Sequence, residues 1–185
     1  MKIEIIAGSP REHSITRRLA LHLLNKLTQE TEHEVGLIDV SDNPLPPIQK
    51  VITSAADAPG ELKELSSRML SADAFIIVTP EYNGSYAPAM QNLFDHFPKQ
   101  HRKVFGLATA SPGALGGIRA AMQLQQFVLA LFGLPSPYML ITPHIDKKFD
   151  ANGNLLDPAF QKTVDLFTKE LLWLAEKLVD ENVNA

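Results

Sequence analysis

The chain has 185 residues, 45% of them hydrophobic, and a formal net charge of -4 from 17 basic and 21 acidic side chains. That length fits one domain around one core, residues 1–185, and a mild acidic balance without lysine or arginine runs excludes the basic face that a nucleic-acid backbone demands. The absence of cysteine rules out disulfides, thiolate nucleophiles, cysteine-ligated iron–sulfur clusters and thiolate zinc sites.

Met1-Lys2-Ile3-Glu4-Ile5-Ile6-Ala7 places a glutamate inside the first apolar run and reaches Gly8 too early for a signal peptide. The longest apolar stretch, Phe127 to Phe132, is far short of the roughly 20 residues a membrane helix needs. The expectation is a cytoplasmic protein with no membrane partner.

Ile3, Ile5 and Ile6 make a first strand, followed by the polar loop Gly8-Ser9-Pro10-Arg11-Glu12-His13-Ser14. Ile15, Leu19, Leu23 and Leu27, widened by Ala20 and Leu24, predict a helix over 15–27 with Ser14 as its N-cap. Val35, Leu37, Ile38 and Val40 give a second strand. The three prolines of Asn43-Pro44-Leu45-Pro46-Pro47 open an extended surface loop over 42–57. Pro59 suits the first turn of a helix carrying Leu62, Leu65 and Met69, with Asp73 at its exit.

Phe75-Ile76-Ile77-Val78 reads as a strand buried on both faces, as in a parallel sheet between helices. It stops at Pro80, which lacks an amide hydrogen, and Asn83-Gly84 suits positive φ, so the backbone turns sharply. A short helix over 87–94 carries Met90, Leu93 and Phe94. Val104 to Ala108 is the fourth strand, with the loop Thr109-Ala110-Ser111-Pro112-Gly113-Ala114-Leu115-Gly116-Gly117 after it. The helix over 118–131 is apolar nearly all round in its later half, more than one contact face requires, which points to a subunit interface in a homodimer or homotetramer. Tyr138 to Ile141 is the fifth strand, 143–156 a loop, and Asp157-Pro158 opens a last helix through Phe160, Val164, Phe167, Leu171, Leu174 and Leu178.

Five alternations of strand and helix predict an α/β three-layer sandwich: a five-stranded parallel sheet of flavodoxin-like order 2-1-3-4-5, with its switch point between strands one and three. In that order the loops at 8–14, 79–88 and 109–117 emerge side by side. The first precedes a helix amino terminus, where unpaired amides and a partial positive charge attract anions. Ser9 and Ser14 add hydroxyls, and Arg11 can bind two phosphate oxygens at once. A phosphate monoester fits. Neither Gly-Lys-Ser/Thr nor GxGxxG is present.

GSPREHS, PEYNGSYAP and SPGALGG together resemble the NADPH-dependent FMN reductase family, flavodoxin-like proteins that include quinone, azo-compound and chromate reductases. The similarity spans roughly residues 1–142, and PEYNGS is its most specific part. The resemblance implies that Ser9, Arg11, Ser14 and Thr16 hold the FMN phosphate. It also implies that Pro80, Glu81, Tyr82, Asn83 and Gly84 contact the isoalloxazine ring, and that Ser111, Gly113, Gly116 and Gly117 close over its other side. Pro10, Ala89, Gln91 and His96-Phe97 depart from the usual pattern of relatives and bear on nicotinamide or acceptor preference.

The implied activity passes hydride from NADPH or NADH to FMN and then to a quinone, azo compound, metal oxyanion or free flavin, with no essential side-chain acid or base. The alternative is a flavodoxin-type FMN electron carrier without nicotinamide turnover; such carriers usually present a strong acidic field. A regulatory subunit using a vacant fold is a third reading. The six histidines are scattered and no HExxH occurs, so no metal site is expected.

Overall fold

β1 (Lys2–Ala7) is flanked by β2 (Glu34–Asp39) and β3 (Ala74–Thr79), and β4 (Val104–Ser111) pairs with the far side of β3, all parallel. Two short strands, β5 (Leu134–Pro135) and β6 (Leu140–Pro143), pair with the two ends of β4. The order is therefore 2-1-3-4-5 with β6 added. The computed structural model describes residues 1–183.

Every residue of β3 is buried, and successive side chains enter different cores. Ala74, Ile76 and Val78 join a cluster with Leu19 and Leu23 of α1 (Arg17–Glu30) and Phe167 and Leu171 of α6 (Gln161–Val183). Phe75 and Ile77 join the opposite cluster, with Met69 of α2 (Lys63–Ser71), Phe94 of α3 (Pro88–Asp95) and Leu124 of α4 (Ile118–Ala130). Phe75 lies 5.4 Å from Phe94 and 5.2 Å from Phe105 between ring centroids; each such buried side chain contributes about 1.5–3 kcal/mol.

Charge also enters this apolar setting. Glu4 of β1 is 8% exposed and accepts both Nε and Nη2 of Arg68 from α2. Neighbouring Gly36 leaves the room: a Cβ there would stand 2.5 Å from Glu4 Oε2.

Several boundaries differ from the sequence reading. The fifth strand is not continuous over 138–141, because Pro135 and Pro137 lack amide donors and the ladder breaks between β5 and β6. β4 runs on to Ser111, since β6 pairs with Ala108 to Ser111, so the third loop begins at Pro112. Residues 143–156 are not all loop: α5 (Ile145–Lys148) precedes a bridge between Phe149 and Leu155, and Ile145 and Phe149 are wholly buried. No described helix is long and apolar enough to cross a membrane.

Candidate functional site

Because β1, β3 and β4 are neighbours, the loops leaving their carboxyl ends share one cleft of about 310 Å³. Ser9, Arg11, Ser14 and Thr16 come from the first loop, Pro80, Glu81 and Tyr82 from the second, and Ser111 from the end of β4. His13, Ile15, Ala110 and Pro112, not singled out by sequence, complete the wall.

The first loop winds into consecutive tight turns: Ser14 N donates to Arg11 O, Arg17 N to Ser14 O and Arg18 N to Ile15 O. α1 consequently begins at Arg17 rather than at residue 15. Ser14 is not its N-cap, and Thr16, which occupies that position, makes no side-chain capping bond. Main-chain turns thus replace side-chain capping. Among the described residues, the amides of Ser9, Glu12, His13, Ile15 and Thr16 donate to no protein acceptor. Unpaired amides ahead of a helix amino terminus form a cradle for an anion.

Two arginines near this cradle have different duties. Arg17 Nε donates to Asp39 Oδ2 at 2.7 Å, and Asp39 Oδ1 accepts Ser41 N and Oγ, so the first turn of α1 is pinned to the end of β2. Arg11 makes no ion pair among the described residues; its guanidinium lies 4.9 Å from the centroid of the Tyr82 ring. Tyr82 Oη is 3.4 Å from Ser9 Oγ, linking the first two loops.

The second loop is a two-residue hairpin. Tyr82 and Ser85 exchange both main-chain hydrogen bonds, at 2.8 and 3.0 Å, while Asn83 and Gly84 take φ of 52° and 84°. Positive φ at both central positions is what the Asn-Gly pair supplies. Asn83 and Gly84 do not line the cleft; they form the tip that presents Tyr82. Below the hairpin, Thr79 Oγ1 accepts Ala87 N at 3.1 Å. Burial, followed by the charge of Asp95, pushes the Tyr86 phenol up, so it stays a donor.

The third loop is tied to the second by a contact that sequence did not reveal. Glu81 Oε2 accepts Arg119 N at 3.2 Å and Oε1 pairs with Arg119 Nη1 at 3.4 Å, so the carboxylate caps the amino terminus of α4. Nothing in the spacing of Glu81 and Arg119 marks them as partners. Gly113, Gly116 and Gly117 stand outside the cleft lining and shape the loop. Gly113 N donates to Ser111 Oγ; a Cβ on Gly116 would lie 2.7 Å from Pro143 N, and one on Gly117 3.0 Å from Thr109 Cβ.

The sequence profile of the family described as NADPH-dependent FMN reductase matches residues 1–144. The chain belongs to the NADPH-dependent FMN reductase family. An FMN-dependent NADPH-azoreductase of Staphylococcus aureus is 29% identical over 179 residues, 93% of this chain and 94% of that one. Among solved structures, FerB of Paracoccus denitrificans, a flavoenzyme NAD(P)H:(acceptor) oxidoreductase, superposes with a TM-score of 0.69 at 24% identity, covering 97% of both chains. The apo form of an NADH:FMN oxidoreductase gives 0.68 at 18% identity over 95% of this chain and 89% of the other. These two structures share the fold.

For an NADPH-dependent FMN reductase the cleft has the chemistry that FMN requires. Amides without a protein acceptor and an arginine without an ion pair among the described residues, with two serine hydroxyls, suit a dianionic monoester, and Pro80, Tyr82 and Pro112 offer flat surfaces to a ring.

Proposed function

We propose that the chain is an FMN-dependent NAD(P)H oxidoreductase, a single cytoplasmic FMN-binding domain that reduces a small acceptor such as a quinone, an azo compound, a metal oxyanion or free flavin. The observation that carries this reading is the juxtaposition of the amide cradle and Arg11 with the Tyr82 hairpin in one cleft.

FMN, when bound, would supply the transfer of hydride from a nicotinamide and of electrons to the acceptor. The protein supplies position, charge and shelter. The amides of Ser9, Glu12, His13, Ile15 and Thr16, with the hydroxyls of Ser9 and Ser14 and the side chain of Thr16, would hold the phosphate, and Arg11, which rests over Tyr82, would neutralise it. Pro80, Glu81 and Tyr82 wall the ring at the end of β3. Asn83 and Gly84 set the angle of that wall, while Ser111, Gly113, Gly116 and Gly117 form the facing side. The Glu81–Arg119 contact fixes the gap between the two walls. No side chain in the cleft has to act as acid or base.

The apolar side chains of Met122 and Leu129 on α4 and of Phe132 just beyond its end are exposed, which supports a homo-oligomer; light scattering at micromolar concentration should give a dimer or tetramer mass, and a monomer mass contradicts it. The reductase reading is tested by anaerobic mixing of the FMN-loaded protein with NADPH or NADH. Loss of flavin absorbance without any protein partner is expected, followed by ping-pong turnover with quinones, azo dyes or free flavin. A carrier would keep its colour.

A further inference from the structure

The third loop, which walls the flavin cleft at Pro112, has little to hold it. Residues 112–115 are all exposed, Leu115 at 62%. Among the described residues their hydrogen bonds stay local, with Gly113 N donating to Ser111 Oγ, Gly116 N to Gly113 O and Ile118 N to Leu115 O, but for one exception. The Pro112 carbonyl meets the imidazole of His144, whose Nδ1 lies 3.1 Å away. A carbonyl only accepts, so Nδ1 carries the proton. Gly116 seats the far end of the loop on the same segment: a Cβ there would lie 2.7 Å from Pro143 N and 2.8 Å from Ile141 Cγ2.

His144 stands where a side chain is costly. Its backbone is left-handed, with φ 50° and ψ 46°, at the entry to α5. That region strains any residue but glycine, although Asn, Asp and His enter it more readily than others. The chain on both sides enforces it. Pro143 pairs with Ser111 in the ladder between β4 and β6, Ile145 is wholly buried, and Lys147 N donates to His144 O at 2.9 Å. Because both neighbours are anchored, the imidazole reaches Pro112 from a fixed base. Strained residues held by their surroundings in this way cluster at ligand clamps. His144 does not itself line the cleft, so it acts on a bound ring only through the loop.

We propose that His144 is a positioning residue for the flavin site: its Nδ1–H holds the Pro112 carbonyl and so sets how closely the third loop approaches the ring. This rests on the reading of the cleft as an FMN site. The hydrogen bond at Pro112 and the close packing at Gly116 give the loop two fixed points. Losing the first leaves Pro112 free to hinge about the second, and the wall drops away from the ring. The phosphate cradle belongs to a different loop and stays as it is.

The test compares three substitutions that accept a left-handed backbone and so keep the fold. His144→Asn puts its Nδ2 where Nδ1 stands, each bonded to Cγ, and retains the donor. His144→Asp has the same shape with an acceptor facing the carbonyl, and His144→Gly removes the side chain without adding charge. In fluorescence titration with FMN, His144→Asn should stay within about twofold of the unsubstituted protein, while His144→Asp and His144→Gly bind about fivefold or more weakly, the worth of one net hydrogen bond. At saturating FMN the visible absorption band of the bound flavin should move toward that of free FMN in His144→Asp and His144→Gly and keep its place in His144→Asn; a role confined to stability would not move it. Unchanged affinity and spectrum in His144→Asp and His144→Gly overturn the proposal. So does equal weakening in all three, and so does weakening in His144→Asp alone, which would mark an effect of charge on the phosphate. Absence of FMN binding by the unsubstituted protein overturns the reading of the cleft itself, and this proposal with it.

Discussion

Replacing Arg11 by alanine removes the cation that the phosphate cradle relies on. In the free protein the guanidinium makes no ion pair among the described residues and rests 4.9 Å over Tyr82, a contact worth about 0.5–1 kcal/mol at an exposed site. A charge-assisted bond to phosphate is worth about 1.5–3 kcal/mol, and forming it gives up the ring contact. The net loss on Arg11→Ala is therefore about 0.5–2.5 kcal/mol, or about 2- to 70-fold in FMN affinity. Fluorescence quenching during titration of apoprotein with FMN reads this directly, and Arg11→Lys, with charge but no planar fork, should fall between. The control is Arg17→Ala: Arg17 is paired with the buried Asp39, so its loss should lower the unfolding midpoint more than Arg11→Ala does. FMN affinity on Arg11→Ala equal to that of the unsubstituted protein, against that expectation of about 2- to 70-fold, refutes the assignment of the phosphate to this loop.

Three further outcomes follow from named contacts. Gly84→Val places a β-branched residue at φ 84°, which costs about 1–3 kcal/mol of backbone strain and tilts the Tyr82 hairpin; the variant should purify nearly colourless, and full yellow occupancy would count against the role of that turn. Arg68→Met strands the Glu4 carboxylate in the core and should lower unfolding free energy by roughly 3–5 kcal/mol in urea titration at neutral pH; a change under about 1 kcal/mol would show the pair to be dispensable. Burial pushes the His22 imidazole below its ordinary range, opposed by the Gly153 carbonyl, with Lys26 lowering it and Asp165 and Glu30 raising it. The folded state thus binds fewer protons than the unfolded one. The His22 contribution is fully present above about pH 6.5 and is lost as pH falls from there through the folded value, at no more than about 1.4 kcal/mol per pH unit. His22→Phe should flatten that part of the stability profile, and an identical slope in both proteins would contradict it.

The sheet order was legible because β3 is a continuous apolar run and β1 and β4 are mostly apolar, each ended by glycine, proline or polar residues, a pattern that fits a two-faced parallel sheet. The Asn83-Gly84 turn was legible for a local reason, since both residues favour positive φ. What stayed hidden depends on contacts distant in sequence. The start of α1 at Arg17 follows from main-chain turns that compete with a Ser14 cap, and the bond between Glu81 and Arg119 exists only once two loops meet. The burial of Phe149, under α1 with its carbonyl held by Arg18 Nη1, is likewise invisible in a segment full of turn signals. The split of β5 from β6 was within reach, because Pro135 and Pro137 announce a ladder that cannot be continuous.

The central claim is that one cleft, built by three loops far apart in sequence, holds FMN. A crystal structure of the protein grown with equimolar FMN measures this most directly. The account expects the phosphate within hydrogen-bond distance of the amides of Glu12, His13, Ile15 and Thr16 and of the Arg11 side chain, with the ring between Tyr82 and the loop after Ser111. FMN bound elsewhere, or a phosphate turned away from Arg11 and those amides, contradicts it.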